Sequence, residues 1–145
     1  MAPGEGLAPG QQERIATAID RARADNGLDI SVLVGDLVLD EPSQFRSAAE
    51  RLHAALGEER TATAVLLVVA PGQRRVEVVT GPAARRRVPD RVAALAVLSM
   101  TTAFAGGDLA GGVVDGIRQM AMAAGAAPAI AAPPRADAAL VVAHH

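Results

Sequence analysis

Val65-Leu66-Leu67-Val68-Val69-Ala70, followed by Pro71-Gly72-Gln73-Arg74 and then Arg75-Val76-Glu77-Val78-Val79-Thr80-Gly81, is the stretch that decides the fold. Its first run is apolar at every position, the pattern of a short strand covered on both faces. Pro-Gly after it suits a turn whose glycine takes the positive-φ position. The second run alternates: Val76 and Val78 point one way and Arg75, Glu77 and Val79 the other, so it is the less buried partner of a hairpin.

Toward the N-terminus, Leu28 to Leu37 reads as another strand, with Ile30, Val32 and Val34 on one face and Leu33 on the other, closed by Asp36 and Asp40. Pro42-Ser43 opens a helix whose inward stripe is Phe45, Ala49, Leu52 and Leu56, and Gly57 stops it. Residues 58–64 are a polar connection into the central strand. Strand, helix, strand places the two strands parallel through a right-handed crossover, and the hairpin partner must then run antiparallel. Before this unit, Gln11 to about Asp25 forms an amphipathic helix with Ile15, Ile19 and Ala22 inward, ended by Asn26-Gly27. The expected fold is therefore α/β: an αβα sandwich with a small mixed sheet covered by helices on both faces.

Beyond Gly81 come Arg85-Arg86-Arg87 and the helix opening Pro89-Asp90. The helix running to about Ala105 spreads Val92, Leu95, Ala96, Leu98, Met100 and Phe104 so widely that burial on more than one side is expected. Gly106-Gly107 breaks it, and Asp108 caps a last helix to about Ala124 with Leu109, Val113, Ile117 and Met120 as its stripe. Gly111, Gly112 and Gly116 cost roughly 1 kcal/mol each in helix propensity, which implies close packing against a neighbour. Residues 11–124 read as one domain, 1–10 as a flexible leader and 125–145 as a disordered tail rich in Ala and Pro.

Composition narrows the function classes. The 145 residues suit one core, and with Phe45 and Phe104 as the aromatic residues that core is built from small aliphatic side chains. All 14 basic residues are arginine and the net charge is −2, so neither nucleic acid nor an anionic membrane surface is indicated as a partner. The absence of Cys and Lys removes thiolate, iron-sulfur, Schiff-base and P-loop chemistry. No apolar run approaches the roughly 20 residues that span a bilayer, and no secretory leader is present, so the chain as written reads as cytoplasmic.

Two clusters are candidate sites. Asp36, Asp40, Asp90, Asp108 and Asp115 would supply oxygen ligands to a divalent cation, calcium or magnesium, if the fold gathers them at the sheet's end. The competing reading makes the first four helix and turn caps and leaves Asp115 solvated. Arg85, Arg86 and Arg87 have the chemistry to grip a phosphate or carboxylate; the competing reading is a solvated charge run. His53 flanks the inward stripe of its helix, as an exposed or structural residue. No Gly-x-Ser-x-Gly elbow accompanies it, and His144-His145 alone make no zinc site.

The hairpin Val65 to Gly81, the helix ending in Phe104-Ala105-Gly106-Gly107-Asp108 and the continuation Leu109-Ala110-Gly111-Gly112-Val113-Val114 together resemble the TPM domain, the family named for a thylakoid lumen protein. Leu52-His53-Ala54-Ala55-Leu56 and the Leu95 to Thr102 helix are similar to an uncharacterised actinobacterial branch related to it. The resemblance covers about residues 11–124 and implies an αβα sandwich with a divalent-metal or phosphatase-like role. Where that family commonly carries an acidic-Asn-Gly turn before the central strand, this chain has Ala62-Thr63-Ala64. The expected function is a non-catalytic interaction or accessory module, with a protein partner or self-association through the last two helices. The alternative is a metal-dependent phosphatase-like hydrolase.

Overall fold

The computed structural model describes residues 7–127 and 140–142. In chain order its elements are α1 (Pro9–Asn26), β1 (Asp29–Val34), a 3-10 turn (Pro42–Gln44) leading into α2 (Phe45–Ala54), α3 (Glu58–Thr61), β2 (Ala64–Ala70), β3 (Arg75–Thr80), α4 (Pro82–Arg87), α5 (Asp90–Ala105), α6 (Leu109–Ala124) and β4 (Leu140–Val142).

Every residue of β2 is buried, because the strand sits inside the sheet with helices on both faces. The strand order is β3-β2-β1-β4. β1 and β2 run parallel from Asp29 opposite Ala64 to Val34 opposite Val69. β2 and β3 are antiparallel from Val65 opposite Thr80 to Ala70 opposite Arg75. The expected mixed α/β sandwich is thus the observed one.

Side-chain alternation divides the interior into two layers. Val65, Leu67 and Val69 join Ile30, Val32, Val34, Val76 and Val78 in the larger core, against Ile15 and Ile19 of α1, Ala96 and Met100 of α5, and Ile117 and Met120 of α6. Leu66, Val68, Ala70 and Val79 form the smaller core with Phe45 and Ala49 of α2. Arg46 clamps α2 to β3 through Glu77 at 2.9 Å and the Val78 carbonyl at 2.8 Å, and the Arg75 guanidinium lies 5.0 Å from the Phe45 ring centre.

Several expectations are corrected. β1 stops at Val34, and α2 ends at Ala54, so Leu56 falls outside it. The polar connection contains the single turn α3, and the arginine run forms the short α4. α5 is buried on one side: Ala96 and Met100 are inside while Leu95 and Leu98 remain 55% and 62% exposed. The multi-sided burial belongs to α6, which packs between α1 and α5 with Ala110, Gly112, Val113, Val114, Gly116, Ile117 and Met120 buried. Its glycines allow this: a Cβ at Gly112 would lie 2.8 Å from the Ala103 Cβ, and one at Gly116 2.8 Å from the Met100 sulfur. Packing geometry has overridden helix propensity at Gly112 and Gly116, as the propensity cost implied, whereas a Cβ at Gly111 would meet the Asp108 carboxylate.

The terminal readings also change. α1 begins at Pro9 and Leu7 is buried, so ordered structure starts within the expected leader. Within the expected tail, Leu140–Val142 adds a fourth strand parallel to β1, from Val32 opposite Leu140 to Val34 opposite Val142. The rest of both readings, at residues 1–6, 128–139 and 143–145, lies outside the described residues. Among the described residues no helix is long and apolar enough to cross a membrane.

Candidate functional site

The five aspartates do not come together. Asp36, just past the carboxyl end of β1, accepts a hydrogen bond from the Gly72 N–H at 2.9 Å and so pins the β2–β3 turn. Beside it the Gln73 side-chain amide accepts from the Leu37 N–H and donates to the Leu37 carbonyl, both at 2.8 Å, which closes the loop after β1 onto the same turn. Asp108 caps α6, with Oδ1 accepting from the Gly111 N–H at 3.0 Å. Asp90 opens α5, with the 16-residue helix between it and the Asp108 end, and pairs with Arg85 at 3.4 Å. It is the first helical residue instead of the cap, a position taken by Pro89. Asp115 pairs with Arg118 along α6 at 4.0 Å. Asp40 lies in the exposed loop before α2, where its backbone N–H donates to Gln44 at 3.3 Å. Calcium takes six to eight oxygens, and among the described residues no three His, Cys, Asp or Glu side chains are grouped to hold a metal.

The arginine run divides into three different environments. Arg85 bonds Asp90 and the Thr80 carbonyl, while Arg86 is exposed. Arg87 turns inward, and its guanidinium donates to the carbonyls of Asn26 and Gly27 at the end of α1 and of Ala124 and Ala126 at the end of α6. A cation there satisfies orphan carbonyls and faces the negative ends of two helix dipoles. Its two terminal nitrogens are engaged by backbone carbonyls, so Arg87 is held apart from Arg85 and Arg86 and the structure does not gather the three into one cluster.

His53 is buried on the inward side of α2, following Phe45 and Ala49 at four-residue spacing, and its Nε2 donates to the Ala64 carbonyl at 3.0 Å. It belongs to the inward stripe and anchors α2 to the start of β2. A polar cluster that the sequence did not announce sits nearby: Arg60 donates to the Asp29 carboxylate and, at 3.0 Å, to the Ser31 hydroxyl, and Arg23 approaches Asp29 at 3.8 Å. Opposite charges far apart in sequence leave no local periodicity by which to find them.

The surface feature that does not belong to any of these networks is the outer face of α5. Arg91, Ala94, Leu95, Leu98, Thr102 and Ala105 are exposed. Arg91, Leu95, Leu98, Thr102 and Ala105 recur at alternating spacings of four and three, the seam by which one helix packs on another. No charged residue occurs from 92 to 107. The Thr101 and Thr102 hydroxyls donate back to the Val97 and Leu98 carbonyls, so their hydrogen-bonding capacity is turned toward the helix itself. At the carboxyl end the seam adjoins a recess of about 420 Å³ lined by Pro71, Arg74, Thr101, Phe104, Ala105, Gly107 and Leu109. A larger groove of about 800 Å³ between α1 and α6 is lined by side chains of both charges, including Glu13, Arg14, Arg21, Asp25, Asp115 and Arg118.

Sheet, layers and exposed helix define a small αβα sandwich that carries an apolar seam on one outer helix. The chain belongs to the family described as a domain of unknown function, DUF5130, whose model matches residues 10–121. It is 39% identical over 84 residues to the uncharacterized proteins Rv2468c and MT2543 of two Mycobacterium tuberculosis strains, covering 57% of this chain and 49% of theirs. The chain thus spans about half the length of these curated relatives. Among solved structures it is similar to the BA42 protein of the psychrophilic bacterium Bizionia argentinensis, with a TM-score of 0.71 at 21% identity over 83% of this chain and 82% of that one. It is also similar to the N-terminal domain of the cg2496 protein of Corynebacterium glutamicum, with a TM-score of 0.62 at 17% identity over 96% and 84% of the two chains. At these identities the likeness is one of fold.

Proposed function

We propose that this chain is a non-catalytic interaction module that presents the outer face of α5 to a protein partner. The observation that carries this reading is the exposure of Leu95 and Leu98 in the middle of a helix that has no charged residue between Arg91 and Asp108. A solvated helix face ordinarily carries charge, and contiguous exposed apolar surface marks contact sites. A distant kinship to the TPM domain rests on the order of hairpin, helix and glycine-rich helix start. The phosphatase-like role that kinship would bring is not favoured, because Asp36, Asp90, Asp108 and Asp115 are engaged in separate turns, caps and ion pairs.

The test is a photo-reactive residue placed at position 98 and, as a control, at exposed Arg51 on α2, with cross-linking in the native cells. A discrete adduct from position 98 and none from position 51 is expected; no adduct from 98 contradicts the reading. A calcium or magnesium titration followed by amide NMR separates the alternative. Saturable shifts confined to the surroundings of Asp36, Asp90 and Asp108 would establish a cation site in place of the interaction module.

A further inference from the structure

We propose that the partner for the α5 seam is α5 of a second copy of this chain, packed antiparallel about a two-fold axis at Leu98. This deepens the reading above and rests on it. With Leu98 facing its own copy, Leu95 lies opposite Thr101, Ala94 opposite Thr102, and Arg91 opposite Ala105. Leu98 then meets Leu98, Leu95 meets Thr101, whose hydroxyl is bonded back to its own helix, and Leu95 reaches the rim of the recess that Thr101, Phe104 and Ala105 line.

Charge placement selects a second copy over an unrelated helix, and antiparallel over parallel. Arg91 sits in the first turn of α5, where a helix end carries partial positive charge and favours anions. The last turn of α5, which favours cations, has no basic residue, and the exposed carboxylate of Asp108 follows it. Within one chain Arg91 is at the end of α5 that favours anions, and α5 itself places no basic residue at the other end, where Arg74 of the β2–β3 turn lines the adjoining recess. Antiparallel pairing brings each Arg91 to the partner's α5 carboxyl end, whose Thr102, Ala103 and Phe104 carbonyls already accept from the Gly106, Gly107 and Asp108 N–H groups, and toward the exposed Asp108 carboxylate, whose one bond from the Gly111 N–H leaves lone pairs to accept. Parallel pairing would set the two arginines side by side. A seam from a 16-residue helix is about 24 Å long, which is small for a stable dimer, so the association is weak and concentration-dependent.

Sedimentation velocity over a concentration series tests this on the full chain. A reversible monomer–dimer equilibrium is expected. Leu98→Glu, which places two carboxylates on the axis, abolishes the dimer without lowering Tm at dilutions where the wild type is monomeric, since Leu98 is already 62% exposed. Arg91→Glu weakens the dimer about tenfold while leaving the Tm of the dilute monomer equal or raised, because an acid suits a helix start. Because the chain has no cysteine, a single introduced thiol reports geometry: Leu98→Cys oxidises to a symmetric disulfide, and Leu95→Cys does so no faster than Met122→Cys on α6. Rapid cross-linking at both 95 and 98 would mean parallel helices and overturn the arrangement. A monomer at every concentration overturns the proposal, as does a dimer unaffected by Leu98→Glu. If that monomer still gives position-98 adducts with another protein in cells, the interaction module stands and the second copy falls. Loss of binding to phospholipid vesicles on Leu98→Glu, with the wild type monomeric, would replace the second copy by a lipid surface.

Discussion

Arg87 does more for this molecule than its place in a run of three identical residues suggests. One guanidinium gathers carbonyls from the ends of α1 and α6, two helices that must finish side by side for the larger core to close. Charge-assisted bonds of this kind are stronger than neutral ones, and deleting the donor leaves several carbonyls short of a partner at once. Arg87→Ala is expected to cost about 2 to 4 kcal/mol in denaturant unfolding, and Arg87→Lys to restore part of it, since one ammonium cannot span the four acceptors. A loss below about 0.5 kcal/mol would mean that water replaces the clamp. Sequence could not distinguish Arg87 from Arg86, because the distinction depends on where helices distant in the chain end. Asp108 was legible by contrast: an acid after Gly106-Gly107 and before an apolar stripe makes a local bond to the residue three positions on.

At the scale of elements, local patterns told true wherever both neighbours of an element were near in sequence. The β2–β3 hairpin, the parallel crossover through α2 and the inward face of α1 follow from periodicity of two or 3.6 and from turn residues. α5 and α6 were harder because both are rich in apolar and small residues, so composition alone assigned the deeper burial to α5. The glycines held the answer. Gly112 fits against Ala103 and Phe104, where a Cβ would lie 2.8 and 2.9 Å from atoms of those side chains, whereas Gly10 in α1 has nothing within 4 Å of the same position. The two glycines should therefore respond to alanine with opposite signs. Gly112→Ala must push α5 away and is expected to destabilise by about 1 to 3 kcal/mol despite the better propensity. Gly10→Ala should stabilise by about 0.4 to 1 kcal/mol. Thermal and denaturant unfolding of the pair check this, and stabilisation by both would show that α5 and α6 are less closely packed than described.

At the scale of the whole molecule, the layers are unequal. One face of the sheet carries α1, α5 and α6, the other α2, and the fourth strand comes from residues 140–142, where an Ala/Pro-rich composition concealed a short apolar run. Burying α6 between α1 and α5 pushes α5 outward, so the price of a deeply packed last helix is an exposed seam on its neighbour. That seam was half legible: the sequence pointed to the last two helices as a contact surface, but which of them faces outward depends on the order of packing. The most direct measurement is a dilution series of amide NMR spectra on the isotope-labelled chain. The account predicts concentration-dependent shifts on the outer side of α5, at residues 91, 94, 95, 98, 102 and 105, and at Asp108, where the α1–α6 groove begins, with α2 and α1 unchanged. Shifts confined to α2 or to α1, or spectra that do not change with concentration, would contradict it.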